Sequence, residues 1–115
     1  MEFYATLGAA CQKRETLEQM KETAILINVS RGPLVNDDDL LEALRSHRIL
    51  AAGLDTHNHE PLGADSPFCR LDNVVLTDHT AYSTMEGVEE LKTKAAQNVI
   101  DVLTGRPVRY PVNHL

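Results

Sequence analysis

The chain has 115 residues, and 11 Lys+Arg against 17 Asp+Glu give it a formal net charge of −6; that length fits one domain at most. With 43% hydrophobic and 24% charged residues, the composition is ordinary for a globular protein and excludes a chain that is fibrous or disordered throughout. The acidic balance argues against nucleic acid as a partner, and no apolar run approaches the roughly 20 residues that span a bilayer.

We expect a cytoplasmic protein without a membrane partner. The first residues do not combine a basic stretch, an apolar stretch and a small-residue cleavage site, which is the pattern of an export signal. Cys11 and Cys69 form no C-x-x-C pair, and reduced thiols are the rule in the cytosol.

The first predicted elements are a helix over Arg14–Met20 and a strand over Ala24–Val29. The strand is a continuous apolar run with β-branched residues, which is typical of a parallel strand that is buried on both faces. Asn36 is predicted to be the N-cap of a second helix that ends near His47. Its buried face is predicted to consist of Leu40, Leu41, Ala43 and Leu44.

Two more strands are predicted, over Ile49–Asp55 and Asn73–Thr77, with a polar loop over Thr56–Asp72 between them. A long helix over Met85–Leu103 follows, with one apolar stripe, and Gly105-Arg-Pro107 ends it. This alternation of strands and helices is typical of part of a parallel α/β sheet.

Polar side chains follow each predicted strand, at the edge where open α/β sheets bind ligands. Arg31 follows the first strand, Asp55 and Glu60 the second, and His79 the third. A guanidinium can hold a carboxylate with two hydrogen bonds, and a histidine can exchange a proton with a hydroxyl or carbonyl oxygen. These side chains would suit proton transfer coupled to redox chemistry beside an acid group, although loop arginines and histidines are more often only solvated.

Two histidines after the second strand allow a different interpretation. His57 and His59 would project to one side of an extended segment and, with His79 or Glu60, would offer ligands to a metal ion. Loop histidines are more often solvated, and we expect no metal site. The acidic run Asp37–Asp39 is interpreted as a helix start, because its carboxylates cannot all face one magnesium ion.

Several sequence blocks occur in a recognisable order: Ala24–Val35 with its Ser-Arg-Gly, Leu40–Leu44, Ala51–Asp55, Glu60-Pro61, and Leu71–Thr77 followed by His79. From about Leu17 to Asn113 the chain resembles the D-isomer-specific 2-hydroxyacid dehydrogenases. It is most similar to the glyoxylate or hydroxypyruvate reductases, the phosphoglycerate dehydrogenases and the C-terminal-binding-protein-like branch.

The resemblance implies hydride transfer between NAD or NADP and a small 2-keto or 2-hydroxy acid. Arg31 would bind the substrate carboxylate and polarise the keto group. His79 would donate the proton in reduction and accept it in oxidation, and Glu60 would pair with His79.

The resemblance also implies contacts with the nicotinamide. Asp55 would contact the carboxamide, the backbone after the first strand would pass the ring, and the loop from His79 to Tyr82 would lie against it. The implied cofactor-binding residues are Val29, Ser30, Arg31, Asp55, His79 and Tyr82.

The implied fold is α/β, the C-terminal part of a Rossmann-type parallel sheet with a long C-terminal helix. Residues 17–83 would form the C-terminal half of the NAD-binding domain and residues 84–115 the crossing helix and tail toward the substrate domain, while residues 1–16 match nothing expected. The sequence has no G-x-G-x-x-G turn, so we expect a fragment that works as a homo-oligomer or with a complementary chain. The alternative is a truncated, non-catalytic domain that acts by self-association or partner binding.

Two departures from the family pattern lie close to the implied catalytic residues. Asp78 stands where the family usually has proline, and its carboxylate would compete with Glu60 for His79. The segment Thr56-His-Asn-His59 stands where an apolar and acidic stretch is more common.

Overall fold

The computed structural model describes residues 12–111. The contacts within the chain divide it into two compact units, Met1–Ala81 and Tyr82–Leu115.

The first unit is built on a three-stranded parallel sheet in the order β1-β2-β3. The strands are β1 (Ile25–Asn28), β2 (Ala51–Leu54) and β3 (Val74–Leu76). Asn28 pairs with Leu54 and Leu54 with Leu76, so the three strands end at the same level. Each predicted strand extends one residue beyond the observed one at each end, except that the second begins two residues early.

One face of the sheet is covered by helix α2 (Asp37–Arg45). The predicted N-cap is confirmed, since the side chain of Asn36 accepts a hydrogen bond of 3.0 Å from the N–H of Asp39. The predicted buried face of α2 is confirmed as well, and the core it joins includes the strand residues Leu26, Ala52 and Leu54.

The opposite face of the sheet is exposed. The side chains of Ile25, Ile27 and Val75 are 54%, 45% and 68% exposed, and exposed and buried residues alternate along β1. The expectation that the first strand is buried on both faces is therefore wrong for this structure, because α2 covers only one side.

Two short helical segments differ from the sequence prediction. Helix α1 covers Arg14–Leu17 and stops short of Met20, because the N–H groups of Gln19 and Met20 bond only three residues back. The loop over Thr56–Asp72 contains a 3-10 helix at Pro67–Arg70, which places the side chain of Phe68 in the core.

The second unit consists mainly of helix α3 (Met85–Leu103), with the bounds expected from the sequence. Gly105 follows in a left-handed conformation, with φ of 67°. Its N–H bonds to the carbonyl of Val102 and that of Arg106 to the carbonyl of Asp101, which is the pattern of a Schellman motif. Much of the predicted apolar stripe is exposed, and the helix residue that is buried is Asp101. No helix in the described range has the length and hydrophobicity needed to cross a membrane.

Candidate active site

Three backbone hydrogen bonds connect the segments that follow the strands. The N–H of Asp55 donates to the carbonyl of Asn28 at 2.9 Å, and the N–H of Thr77 donates to the carbonyl of Leu54 at 3.0 Å. The N–H of His79 then donates to the carbonyl of Asp55 at 2.8 Å. These bonds continue the sheet pairing beyond the strands and hold the three following segments at one edge.

A histidine and a glutamate meet at this edge. Nδ1 of His79 lies 2.9 Å from Oε2 of Glu60, and both side chains are a little over one-third exposed. The other carboxylate oxygen, Oε1, accepts a hydrogen bond of 3.0 Å from the N–H of His57. This N–H and, after it, the His79 ring hold the pKa of Glu60 below its ordinary value, so the carboxylate is ionised at neutral pH and fixes the orientation of the ring.

The backbone of His79 is held in an uncommon conformation. Its φ is 49°, in the left-handed region that residues other than glycine seldom adopt. The carboxylate of Asp55 accepts hydrogen bonds from the next two N–H groups, of Thr80 at 2.9 Å and Ala81 at 3.0 Å. With the carbonyl bond to His79 itself, Asp55 therefore holds three consecutive N–H groups and stabilises the turn that presents the imidazole.

The carboxylate of Asp55 is only 4% exposed and accepts one more hydrogen bond, from Oγ1 of Thr77 at 2.5 Å. The hydroxyl of Thr77, then the N–H groups of Ala81 and Thr80, lower the pKa of Asp55 below its ordinary value and outweigh the opposite effect of desolvation. Asp55 is therefore a buried, ionised carboxylate whose charge is spread over three donors.

Arg31 lies on a segment that packs against the one carrying Glu60. Gly32, the next residue, is buried, and a Cβ atom there would lie 2.1 Å from the carbonyl carbon of His57. Only glycine allows this backbone-to-backbone approach. Arg31 itself is exposed, and its Nη1 donates a hydrogen bond of 2.7 Å to the carbonyl of Ser30.

The first unit thus contains every residue that the sequence proposes for the site except Tyr82, which is an exposed residue of the second unit. Asp55, Glu60 and His79 are in a continuous hydrogen-bonded arrangement. Val29 is 55% exposed directly after β1, and Ser30 follows it.

The remaining polar residues of the loops have contacts that bear on the metal interpretation. The ring Nε2 of His57 lies 3.0 Å from the carbonyl of Thr77, and the side chain of His59 is exposed. Among residues 12–111, no group of three His, Cys, Asp or Glu residues has the geometry to hold a metal ion. Asp78 is exposed, and it is Glu60 that contacts Nδ1 of His79.

Sequence reasoning missed two residues that shape this edge. Asn28 is 7% exposed and bonds to the turn that carries Arg31, and Thr77 bonds to the carboxylate of Asp55. The available signal was a polar residue at the end of each apolar run, where a strand passes into a loop.

A protein-family model matches the first unit. Residues 9–81, more than half of the chain, match the NAD-binding domain of the D-isomer-specific 2-hydroxyacid dehydrogenases. The chain belongs to this family. The resemblance inferred from the sequence blocks is thereby confirmed, together with NAD as the type of cofactor that the family's domain binds.

Two curated relatives are reductases of the same family. The chain is 42% identical over 95 residues to glyoxylate/hydroxypyruvate reductase B of Salmonella paratyphi B, a match that covers 83% of this chain and 29% of the relative. It is 44% identical over 91 residues to the glyoxylate reductase of Thermofilum pendens, covering 79% of this chain and 27% of the relative. The chain therefore spans less than a third of the length of these relatives.

Solved structures of the family have the same architecture. The D-isomer-specific 2-hydroxyacid dehydrogenase from Xanthobacter autotrophicus Py2, in complex with NADPH and MES, superposes with a TM-score of 0.79 at 33% identity, over 91% of this chain and 43% of that chain. The D-lactate dehydrogenase with NAD+ from Lactobacillus jensenii superposes with a TM-score of 0.73 at 31% identity, over 92% of this chain and 36% of that chain. The predicted α/β fold, part of a Rossmann-type sheet, is confirmed.

The edge has groups that fit the nicotinamide end of such a cofactor. The carboxylate of Asp55 accepts three of the roughly four hydrogen bonds that it can take, which leaves capacity for one amide donor, and Val29 offers an exposed apolar surface. Gly32 is packed against the backbone of His57, so it serves the fold and does not admit a phosphate group.

Proposed function

We propose that this chain carries the catalytic edge of an NAD(P)-dependent dehydrogenase that interconverts a small 2-keto acid and the corresponding 2-hydroxy acid. The observation that supports this most directly is the 2.9 Å contact between Nδ1 of His79 and Oε2 of Glu60. The contact lies at the carboxyl end of a parallel sheet, on the edge that Arg31 shares. Glyoxylate and hydroxypyruvate are the first substrates to test, because relatives at 42–46% identity carry their names.

Arg31 is the proposed carboxylate-binding residue. Its guanidinium is exposed and bonded only to the backbone of its neighbour among the contacts described, so turning it toward a bidentate carboxylate costs one exposed hydrogen bond. Held near the keto oxygen, the same positive charge would stabilise the negative charge that develops on that oxygen.

His79 is the proposed acid in reduction and base in oxidation. Because Glu60 binds Nδ1, the proton passes between Nε2 and the substrate oxygen. In reduction the protonated ring gives this proton to the oxygen as the carbonyl π bond breaks, and the ring is left neutral. In oxidation the neutral ring takes the hydroxyl proton back, and the charge of Glu60 stabilises the resulting imidazolium.

The cofactor would lie along the same edge. When bound, the reduced nicotinamide supplies the hydride that adds to the keto carbon. Asp55 would accept a hydrogen bond from the carboxamide, and Val29 and Ser30 would lie against the nicotinamide ring. His79 and Arg31 border this ring on the substrate side.

The experiment is a titration of the purified chain with NADH and NADPH, followed by fluorescence, and then addition of glyoxylate or hydroxypyruvate with the loss of reduced cofactor as the readout. His79→Ala should lower kcat by about 10²–10⁴-fold, and Arg31→Ala should mainly raise KM for the keto acid. His59→Ala, which changes an exposed histidine of the same loop, is the matched control and should keep the activity. Absence of both cofactor binding and oxidation would refute catalysis by this chain.

A second candidate function is association without catalysis. The exposed apolar face formed by Ile25, Ile27 and Val75 is the observation that favours it, because such a face gains free energy when a second surface covers it. On this proposal the chain forms a homo-oligomer or pairs with a complementary chain. A molecular mass that stays monomeric at all concentrations, alone and with candidate partners, would exclude it.

We also propose that the protein works in the cytoplasm. Cys69 is an exposed free thiol, which a reducing compartment keeps unmodified. Fractionation of cells that express the full gene product, with Cys69 labelled by a thiol reagent, tests this compartment directly.

A further inference from the structure

The proposed carboxylate-binding arginine lies on a turn whose shape is determined by one buried amide. Asn28, the last residue of β1, is on the covered face of the sheet and is 7% exposed. A buried amide in an apolar environment is costly unless its donor and acceptor are both used. In Asn28 the side-chain N–H donor and the side-chain oxygen acceptor are both hydrogen-bonded, and both partners belong to the same turn.

The two bonds hold the residues on either side of one peptide unit. Oδ1 of Asn28 accepts a hydrogen bond of 3.2 Å from the N–H of Ser30. Nδ2 donates a hydrogen bond of 2.9 Å to the carbonyl of Arg31. The side chain therefore ties down the chain immediately before and immediately after the peptide that joins Ser30 to Arg31.

The guanidinium depends on the same peptide unit. Nη1 of Arg31 donates to the carbonyl of Ser30 at 2.7 Å, and that carbonyl belongs to the peptide which the Asn28 bonds bracket. Beyond it, Gly32 is fixed against the backbone of His57. The backbone carbonyl of Asn28 also accepts the N–H of Asp55 at 2.9 Å, so the backbone of Asn28 is held beside the residue that follows β2 while its side chain shapes the turn.

We infer that Asn28 is a positioning residue for substrate binding, one that acts through Arg31 without contacting the substrate. It fixes the peptide from which the guanidinium extends, and so sets the direction in which Arg31 meets a 2-keto acid carboxylate. This inference rests on the proposed function. It predicts that the contribution of Asn28 to substrate affinity disappears when Arg31 is removed.

The test is a double-mutant cycle on KM for glyoxylate or hydroxypyruvate, at saturating reduced cofactor, with Asn28→Leu, Arg31→Ala and the double variant. Asn28→Leu keeps the size and burial of the side chain but removes both hydrogen bonds. We expect it to raise KM by about 10- to 100-fold with a smaller change in kcat, and to have no further effect in the Arg31→Ala background. If Asn28→Leu raises KM equally with Arg31 present and with Arg31→Ala, or does not raise KM at all, the inference is overturned while the proposed function stands.

Asn28→Asp provides a second variant that keeps one of the two bonds. Its carboxylate accepts from the N–H of Ser30 but cannot donate to the carbonyl of Arg31, and we expect a rise in KM of the same order. A loss of folding in Asn28→Leu would show in its thermal unfolding, and Asn28→Asp then takes its place in the cycle.

The ligand-free chain gives a readout that does not depend on turnover. If the unsubstituted chain shows no turnover, the proposed function fails, and the inference is judged by ¹⁵N relaxation of the Nε–Hε group of Arg31. Asn28→Leu should then lower the order parameter of this group, while Leu50→Ala, at an exposed strand-flanking position, should leave it unchanged. An unaltered order parameter in Asn28→Leu overturns the inference.

Discussion

The carbonyl oxygen of Asp55 accepts a hydrogen bond of 2.8 Å from the N–H of His79, and the carboxylate of the same residue accepts the next two N–H groups of the chain. A single buried aspartate thus holds the loop in which His79 adopts its left-handed backbone conformation. Whatever contact Asp55 makes with a cofactor, its first physical effect in this structure is to position the imidazole.

Replacing this aspartate should produce a pH-dependent loss of stability. The pKa of Asp55 is lowered in the folded chain, so its ionisation stabilises the fold above the ordinary pKa, and this stabilisation is lost as the pH falls through the lowered value. Asp55→Asn cannot accept all three hydrogen bonds, and its midpoint of urea unfolding at pH 7 should be well below that of the unsubstituted chain. The difference should shrink as the pH falls below about 4. Asp72→Asn, at an exposed position, is the control; a difference that does not vary with pH would contradict the argument.

Gly32 should tolerate no side chain. The Cβ of alanine would lie 2.1 and 2.2 Å from the carbonyl carbon and oxygen of His57, and backbone atoms cannot move aside as the end of a flexible side chain can. We expect Gly32→Ala to lower the free energy of unfolding by about 3 kcal/mol or more. Gly53→Ala is the matched control, because its Cβ would make only an ordinary contact of 3.8 Å with Ile27 and should change stability by less than about 1 kcal/mol. If the two substitutions lower the free energy of unfolding equally, as measured in denaturant, the close approach of Gly32 to the backbone of His57 is not the reason that this position requires glycine.

The carboxyl group of Glu60 should report on His79 directly. The N–H of His57 is the largest cause of its lowered pKa, and the bond to the His79 ring is the second. His79→Ala should therefore raise the pKa of Glu60 only part of the way to its ordinary value, as measured by ¹³C NMR titration of the side-chain carboxyl. His59→Ala, which removes an exposed neighbouring ring, should leave the titration unchanged. If the pKa of Glu60 returned fully to its ordinary value in His79→Ala, the hydrogen bond from the N–H of His57 would contribute nothing to the lowered pKa.

One buried hydroxyl should be dispensable. Thr56 is 2% exposed, and its Oγ1 has no hydrogen-bond partner among the described residues. Thr56→Val keeps the shape of the side chain and removes the unpaired group, so we expect it to raise the free energy of unfolding by about 1 kcal/mol. Thr93→Val, on the exposed surface of α3, should be close to neutral, and a loss of stability in Thr56→Val would indicate that an internal water or another partner satisfies the hydroxyl.

Much of the fold could be predicted because local signals agreed with it. Asn36 caps α2 as expected, since an amide followed by three acidic residues satisfies both the free N–H groups and the helix dipole. Gly105 ends α3 because the left-handed conformation there favours glycine. The exposure of Ile27 could not be predicted, because an apolar run indicates a strand that prefers to be covered and not whether a covering surface is present.

The grouping of the candidate residues at one edge of the sheet could be predicted, and the contacts between them less so. Arg31, Glu60 and His79 each follow an apolar run, and parallel topology brings the ends of such runs to one edge. The contacts of Thr77 with Asp55 and of Asn28 with the arginine turn depend on register and on a backbone path that no local pattern specifies. No local pattern predicts that the backbone N–H of His57 bonds to Glu60, because the bond depends on the path of the whole loop.

The exposed face of the sheet also affects how stability varies with temperature. Unfolding raises the heat capacity in proportion to the apolar surface that becomes hydrated, and Ile25, Ile27 and Val75 are already hydrated in the folded chain. The heat-capacity increment, and the denaturant m-value that scales with the same area, should therefore be smaller than for a chain of equal length whose sheet is covered on both sides. A small increment broadens the stability curve, so this chain should lose stability only slowly on cooling.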